Sequence, residues 1–211
     1  DTTDPYSDAI QQRLDELIAD ERAAGNSPYM VRLPGVTGPL AAAAAAGLAE
    51  EILTQTDRPP DWVALAAGSG LTAAGLAAGF ARAGAATRVL VVSVQQPTSF
   101  IEPLILKRAG EALALLGSTA TIDPARIVVD DSYIGAGYGI ASEGSLAALA
   151  TAGRTAGLVL DPAYSGKALH GLIGNLEAGR IAPDDSVVFI HTGGAPGLFA
   201  RADIVAPALT S

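Results

Sequence analysis

Cysteine is absent from this chain of 211 residues, and lysine, histidine and aromatic residues are scarce. Without cysteine the chain has no disulfide, no thiolate nucleophile and no cysteine-ligated metal. The two histidines lie apart, His170 on a predicted helix and His191 at a predicted strand end, so we expect no metal site. Because only 5% of the residues are aromatic, we expect a core of small and branched aliphatic side chains.

Positive charge is also limited, with 13 basic residues against 22 acidic ones and a net charge of -9. This balance disfavours binding to nucleic acid or to an anionic membrane. No run reaches the roughly 18 consecutive apolar residues of a membrane helix, and no secretory leader opens the chain. We expect a cytoplasmic protein without nucleic-acid or membrane partners. Because the chain begins at Asp1 and not at methionine, we also expect a processed, trimmed or partial product.

Short aliphatic runs alternate with helical stretches over most of the chain. The five runs are WVALAA (62–67), RVLVVSV (88–94), RIVVD (126–130), GLVL (157–160) and SVVFIH (186–191). Near-continuous aliphatic strands separated by helices are typical of a mostly parallel sheet covered on both faces. The predicted fold class is therefore α/β, with helices flanking a mostly parallel sheet.

The beginning of the chain predicts a smaller unit. Ser7 is a candidate N-cap, apolar residues follow at helical spacing, and Gly25 suits the C-terminal end of that helix. The run YMVRL (29–33) predicts a short strand, and a long alanine-rich helix is expected over about 37–54.

The breaks in this pattern suggest two parts of unequal size. We expect a boundary between Leu33 and Gly38. Residues 1–36 would then be an αβ remnant of a small domain, and residues 37–211 would form the large domain. A hydrophobic content of 49% is sufficient for one well-packed domain of this length.

The segment AGSGLT (67–72) follows the first of these strands and leads directly into a helix. Gly68 and Gly70 would let the backbone approach an anion closely. Ser69 and Thr72 offer hydroxyls, and the helix N-terminus adds partial positive charge. The segment is not a Walker motif, because no lysine follows the glycines, and an alanine replaces the third glycine of a dinucleotide motif. It predicts a phosphate cradle, with a tight turn capped by Ser69 as the alternative.

Three more glycine-bearing segments follow predicted strands: GAGYG (135–139), DPAYSGK (161–167) and HTGGAPG (191–197). The carboxyl ends of parallel strands lie along one rim of the sheet, where binding sites collect. Glycine at a strand-to-helix turn is often needed only for backbone geometry. Four such loops on one rim nevertheless favour a shared site.

The chain has only two lysines, Lys107 and Lys167. The neighbours of Lys107, Arg108 and Glu111, predict a solvated helix face. Lys167 lies in the first turn of a predicted helix, where an ammonium faces the positive end of the helix dipole. We therefore expect an anion or a carboxylate near Lys167.

Four segments together resemble one enzyme family. They are GSGLTAAGL (68–76), YIGAGYGIASEGSLAAL (133–149), GLVLDPAYSGKALHGLI (157–173) and VVFIHTGGAPGLFA (187–200). In this order and spacing they resemble the pyridoxal-phosphate family of D-cysteine desulfhydrases and 1-aminocyclopropane-1-carboxylate deaminases. The resemblance runs from about Tyr29 to Ala200. It implies the fold type of the tryptophan-synthase β subunit, pyridoxal 5′-phosphate as cofactor and a small amino acid as substrate.

The resemblance also implies roles for individual residues on the phosphate and substrate sides. Ser69, Gly70 and Thr72, together with Gly68, match the phosphate loop, although Leu71 stands where a glycine or a small polar residue is usual. Tyr138 and Tyr164 match two tyrosines that face the substrate, where a phenol can donate or accept a proton. Packing within a loop is the alternative role for these tyrosines.

On the ring side of the cofactor, the resemblance assigns three residues. Ser165 matches the position beside the pyridine nitrogen, where deaminases carry glutamate and desulfhydrases carry a small hydroxyl residue. Thr192 is a second hydroxyl near the same nitrogen, and Gly193 is assigned to the cofactor site with it. His191 is expected to be a hydrogen-bonded residue at a strand end and not a base.

In this family the Schiff-base lysine lies in an N-terminal segment that has no counterpart here. Lys167 matches a different lysine of the family, so we expect a structural or electrostatic role for it. The resemblance therefore implies a companion chain or a homo-oligomer that supplies the missing segment.

The serine at position 165 makes elimination of sulfide from D-cysteine, with release of pyruvate and ammonia, the leading interpretation of function. Deamination of 1-aminocyclopropane-1-carboxylate is the first alternative. A non-catalytic paralogue or partner subunit that retains the fold is another. A nucleotide- or sugar-phosphate-binding domain without an aldehyde cofactor is the last.

Overall fold

The computed structural model describes residues 7–30 and 37–210. The chain divides into two compact units, Asp1–Gly38 and Pro39–Ser211. The interpretation of the first part as a remnant of a small domain stays a prediction.

Within residues 7–30, the first unit forms one helix. Helix α1 spans Asp8–Ala23 and follows Ser7 at the N-cap position, although the hydroxyl of Ser7 makes no capping hydrogen bond. Gly25, at a φ of +81°, leads the chain out of the helix, as its sequence position predicts. Of the predicted strand over 29–33, the first two residues are irregular and the others lie outside the described residues.

The second unit is built on a four-stranded parallel sheet. Its strands are β1 (Trp62–Ala67), β2 (Arg88–Ser93), β3 (Ile127–Asp130) and β4 (Val187–Phe189). They lie in the order β3-β2-β1-β4, and each pair of neighbours is parallel. Four of the five predicted strands are therefore confirmed.

Helices connect and cover these strands. They are α2 (Thr37–Ala45), α3 (Gly47–Gln55), α4 (Leu71–Ala83), α5 (Thr98–Leu115), α6 (Glu143–Ala156), α7 (Ser165–Glu177), α8 (Ala195–Ala200) and α9 (Ala202–Thr210), with a 3-10 turn at Pro124–Arg126. No helix within residues 7–30 and 37–210 is long and apolar enough to cross a membrane.

Alternate residues of the central strands pack against opposite layers of helices, as the pleat of a strand requires. Val63 and Leu65 of β1 belong to a cluster that includes apolar residues of α3, α4 and α5. Trp62 and Ala64 belong to a second cluster on the other face, with residues of α7. The predicted α/β class, with helices on both faces of a parallel sheet, is confirmed.

The run GLVL (157–160), predicted as a strand, forms no strand. Gly157 ends α6 in the left-handed conformation, and the carbonyl of Val159 bonds to the side chain of His191. Leu160 is buried in a third cluster with residues of α6 and α9. Leu158 and Val159 are exposed, so Leu160 alone of this run packs into the core.

The long alanine-rich helix predicted over 37–54 is two helices separated at Ala46. The amide of Ala49 bonds to the carbonyl of Ala46, three residues back, instead of continuing the α-helical pattern. A Cβ on Gly79 of α4 would lie 2.4 Å from that same carbonyl oxygen. The break therefore lies where α4 passes closest, next to Gly47, a poor helix former.

Candidate functional site

The carboxyl end of β1 continues into α4 through residues 68–72, here called the glycine loop. Gly70 has a φ of +75°, which glycine adopts at little cost. A Cβ on Gly70 would lie 2.6 Å from Cγ1 of Ile105, so the loop backbone passes directly over α5. The first amides of a helix have no carbonyl partner within the helix. Here the amide of Ala74 donates the first helical hydrogen bond, to the carbonyl of Gly70. The loop has the form of an anion cradle.

A buried cation supports the glycine loop from α5. Arg108 is 4% exposed, and its Nη1 donates to the carbonyl of Ser69 at 2.5 Å. The predicted solvated face is therefore wrong for Arg108, although Lys107 is exposed and lies 3.9 Å from Glu111. Successive helix positions differ by about 100°, so Arg108 lies on the inward stripe with Ile105.

The tyrosine loop, residues 131–141, follows β3 and brings Tyr138 to Tyr164. The two hydroxyls are hydrogen-bonded, and the rings meet edge to face with centroids 5.6 Å apart. Tyr164 also borders the glycine loop, because its Cε1 would lie 3.4 Å from a Cβ on Gly68. The structure therefore brings Tyr164 to the predicted phosphate cradle and Tyr138 to Tyr164.

The environment of Tyr164 favours its protonated form. Burial raises the pKa of the Tyr164 phenol above its ordinary value, and the hydrogen bond with Tyr138 raises it further. The raised pKa keeps this phenol protonated over a wider pH range, so its hydroxyl remains a hydrogen-bond donor.

Ser165 is buried at the start of α7, and its hydroxyl is bound to Asp161. Ser165 Oγ accepts the amide of Asp161 at 2.8 Å and donates to Oδ1 of the same residue at 2.6 Å. The carboxylate of Asp161 also accepts the amides of Ala163, Tyr164 and Ser165. Asp161 thus fixes the segment that carries Tyr164 and Ser165.

The turn after β4 approaches the same carboxylate. A Cβ on Gly194 would lie 2.4 Å from Oδ1 of Asp161, so this backbone runs against the Asp161 side chain. The preceding residues, Thr192 and Gly193, are exposed. His191 accepts the amide of Gly193 at Nδ1 and contacts the carbonyl of Val159 at 2.8 Å through Nε2. This histidine is hydrogen-bonded at both nitrogens, as predicted.

Lys167 is fully buried, and its ammonium binds two backbone carbonyls of the tyrosine loop. Nζ donates to Ile134 O at 2.6 Å and to Gly137 O at 3.0 Å. Burial lowers the pKa of the Lys167 amine. Among the described residues, the partners are uncharged carbonyl oxygens and not the predicted carboxylate, and the alternative, a bound anion, stays a prediction. The expected structural role agrees with these contacts.

Three residues of this region were not found from the sequence. Asp161 carried a signal, since an aspartate just before a helix often binds its first amides. Arg108 also carried one, in its helical spacing from Ile105. Gln95, which follows β2, carried no signal in the sequence. Its side-chain oxygen would lie 3.7 Å from a Cβ on Gly68, beside Tyr164.

Known proteins match nearly the whole chain. The family described as pyridoxal-phosphate dependent enzyme matches residues 3–193. A 1-aminocyclopropane-1-carboxylate deaminase of Burkholderia ambifaria is 31% identical over 204 residues, which cover 95% of this chain and 60% of the relative. One from Burkholderia cenocepacia is 32% identical over 93% of this chain and 59% of the relative. The crystal structure of an ACC deaminase homologue matches with a TM-score of 0.82 and 28% identity, over 99% of this chain and 62% of that one.

The chain thus spans about 60% of the length of these curated relatives. The family and the cofactor implied by the resemblance are confirmed, whereas these relatives do not specifically support D-cysteine as the substrate. The roles of the individual site residues stay predictions. By its sequence and its fold, the chain belongs to the family of pyridoxal-phosphate dependent enzymes.

Proposed function

We propose that this chain forms the phosphate-binding and substrate-facing part of an enzyme that deaminates a small amino acid of the 1-aminocyclopropane-1-carboxylate class. The contact between the tyrosine pair and the glycine loop carries the proposal, with Tyr164 3.4 Å from the position of a Cβ on Gly68. A phenol beside a phosphate cradle is suited to proton transfer at a substrate held by a phosphate-bearing cofactor. The names of the Burkholderia relatives support the substrate class.

The residues at the strand ends fit such a cofactor in two places. The close approach at Gly70, together with the first amides of α4, suits a phosphate group. Bound pyridoxal phosphate supplies an electron sink for negative charge developing on the substrate. On the phosphate side the holding residues would be Gly68, Ser69, Gly70 and Thr72; on the ring side they would be Ser165, Thr192 and Gly193.

The two tyrosines would divide the work of moving a proton. Tyr164 is the partly buried member, and its hydroxyl lies 3.5 Å from the position of a Cβ on Gly68, beside the glycine loop. Tyr138 is 51% exposed and bonds to the Tyr164 hydroxyl. We assign Tyr164 as the proton donor and Tyr138 as the group that orients it and exchanges protons with water.

Neither lysine of this chain is available as the amine that binds the cofactor aldehyde. The ammonium of Lys167 binds two carbonyls, and Lys107 is exposed on α5 beside Glu111. The amine would come from a companion segment that this sequence does not include. Borohydride reduction in the presence of cofactor, followed by peptide mapping, should label neither lysine of this chain. A label on Lys167 or Lys107 would refute this assignment.

Elimination of sulfide from D-cysteine is the second candidate, and Ser165 is the observation that favours it. A hydroxyl beside a ring nitrogen cannot stabilise a proton there as a carboxylate does, which gives a weaker electron sink. A weaker sink suffices when the substrate has a good leaving group. The hydrogen bond from Ser165 to Asp161 opposes this candidate. Because the Ser165 hydroxyl already donates its proton to Asp161, it could only accept a hydrogen bond from the ring nitrogen of the cofactor. Such a bond would favour the protonated ring nitrogen.

A paired assay of the assembled enzyme tests both candidates. It measures 2-oxobutyrate formed from 1-aminocyclopropane-1-carboxylate and pyruvate formed from D-cysteine. Faster formation of 2-oxobutyrate supports the proposed deaminase, and faster formation of pyruvate supports the second candidate. If neither product forms with the amine-bearing segment present, the chain belongs to a non-catalytic member of the family.

A further inference from the structure

The tyrosine loop has a backbone that does not hold its own shape. It carries three glycines with positive φ, at 135, 137 and 139, and no helix or strand. Glycine loses more backbone freedom on ordering than any other residue, so a fixed loop of this composition requires bonds from outside. Its internal backbone bonds, from Ile134 to Asp131 and from Ile140 to Gly137, are both 3.3 Å long.

Lys167 supplies two hydrogen bonds from α7 to the backbone of this loop. Its Nζ lies 2.6 Å from Ile134 O and 3.0 Å from Gly137 O, so it holds the stretch just before Tyr138. A second cation, Arg201, reaches Gly139 O at 3.3 Å from a half-buried position. Burying an ammonium is unfavourable unless it is hydrogen-bonded, so an apolar side chain would serve better here if packing alone were required.

Tyr164 and Lys167 lie three residues apart in one segment and hold the loop at two points. Tyr164 binds the hydroxyl of Tyr138, and Lys167 binds the backbone that precedes it. We propose that Lys167 is a positioning residue: its ammonium anchors the tyrosine loop so that Tyr138 reaches Tyr164 beside the glycine loop. The consequence for turnover rests on the proposed function, whereas the anchoring itself does not.

Fluorotyrosine labelling and ¹⁹F NMR test the anchor without cofactor. Lys167→Met keeps an unbranched side chain of similar length but removes the ammonium. We expect the resonances of Tyr138 and Tyr164 to move in this variant, while Tyr29 stays unchanged. Tyr138→Phe assigns one of the two signals. Lys107→Met is the matched control, because it removes the only other lysine from an exposed site, and it should shift neither resonance.

A folded Lys167→Met protein in which both tyrosine signals stay in place overturns the proposal. If the variant does not fold, ¹⁵N-lysine labelling of the unmodified chain decides, because two lysines give only two Nζ signals. Hydrogen bonds should slow proton exchange at Lys167 by at least about tenfold relative to Lys107. Two signals that exchange equally fast overturn the proposal as well.

Kinetics of the assembled enzyme separate the anchor from the proposed function. We expect Lys167→Met to lower kcat by about 10- to 100-fold with little change in KM, as for a displaced reacting group. Tyr138→Phe should have a similar effect, and the double variant should be no slower than either single variant. If only Tyr138→Phe lowers kcat, Lys167 has no positioning role. If neither lowers kcat while the ¹⁹F signals move, the anchor stands and the proposed role of the tyrosines fails.

Discussion

The glycine loop and the tyrosine loop meet at Tyr164, but different interactions hold them in place. The glycine loop lies between β1 and α4 and is pressed against Ile105 of the main hydrophobic cluster. Most of its support is packing, to which Arg108 adds a single bond at Ser69. Packing of this kind tolerates almost no added volume.

The tyrosine loop is held mainly by polar contacts. Lys167 binds it in the middle, Tyr164 binds it at Tyr138, and Asp130 fixes its beginning. Such bonds are individually modest and depend on charge and protonation. The comparison implies that the phosphate side of the site responds to volume, whereas the tyrosine side responds to charge and pH.

The largest expected effect comes from adding volume to the glycine loop. Gly70→Ala and Gly84→Ala both place a side chain at positive φ, of +75° and +65°, which should cost about 1–2 kcal/mol of unfolding free energy in each. At Gly84 the added Cβ meets nothing within 4 Å, but at Gly70 it would lie 2.6 Å from Ile105. Overpacking should add about 1–3 kcal/mol at Gly70.

Chemical denaturation of the two variants measures the loss of unfolding free energy in each. Because Gly84→Ala has the backbone strain but no close neighbour, the difference between the two losses is the cost of overpacking at Gly70. Equal losses of stability in the two variants would mean that packing against Ile105 does not hold the glycine loop.

Much of the fold was predictable from the sequence, because strand burial and helix periodicity are local signals. β1 and β2 were found from their aliphatic runs alone. The run GLVL (157–160) misled because a short apolar run carries no periodicity that distinguishes a buried strand from a loop with one buried leucine, Leu160. The break at Ala46 depends on the approach of Gly79 from α4, a contact that no local pattern encodes.

A second prediction concerns pH and the beginning of the tyrosine loop. Burial by itself raises the pKa of Asp130, but hydrogen bonds from Asn175, Ser132 and Arg180 outweigh it and hold the pKa below its ordinary value. With the folded pKa below the unfolded value of about 3.9, the stability from Asp130 is complete above that pH. It is lost as the pH falls through the folded pKa.

Asp130→Asn should therefore lower stability near neutral pH, by about 1–3 kcal/mol for a buried charged group. It should also flatten the loss of stability as the pH falls below about 4 and through the folded pKa. Thermal unfolding across this range is the measurement, and Asp184→Asn, at an exposed aspartate, is the control. If stability falls as steeply with decreasing pH in Asp130→Asn as in the unmodified chain, Asp130 is not the source of the pH sensitivity.

The candidate site was less predictable than the fold, because its residues meet across long sequence distances. The sequence indicated Tyr138 and Tyr164 through family motifs, and the structure brings them into contact. It could not indicate that Lys167 binds backbone carbonyls, because a carbonyl is present at every residue and leaves no mark in the sequence. Only the folded path of the tyrosine loop identifies Ile134 and Gly137 as its partners.

The smallest expected effect is on binding and not on stability, at Thr72 in the glycine loop. Thr72 is half-buried in the first turn of α4, so Thr72→Ala should change the free energy of unfolding by less than about 0.5 kcal/mol. We propose that its hydroxyl binds the phosphate, and a hydrogen bond to a charged group is worth about 1–2 kcal/mol. Affinity for pyridoxal phosphate should therefore fall by roughly 5- to 30-fold.

Calorimetric titration of Thr72→Ala and of Thr72→Ser, with pyridoxal phosphate and with inorganic phosphate, separates the hydroxyl from the methyl group of threonine. Thr72→Ser keeps the oxygen and should retain nearly the affinity of the unmodified chain. If all three proteins bind with equal affinity, the glycine loop is an ordinary turn whose close packing against Ile105 serves the fold alone. If only Thr72→Ala weakens binding, the packed loop also presents a hydroxyl to the anion. That outcome sharpens the contrast with the tyrosine loop, whose polar contacts come mainly from Lys167, Tyr164 and Asp130.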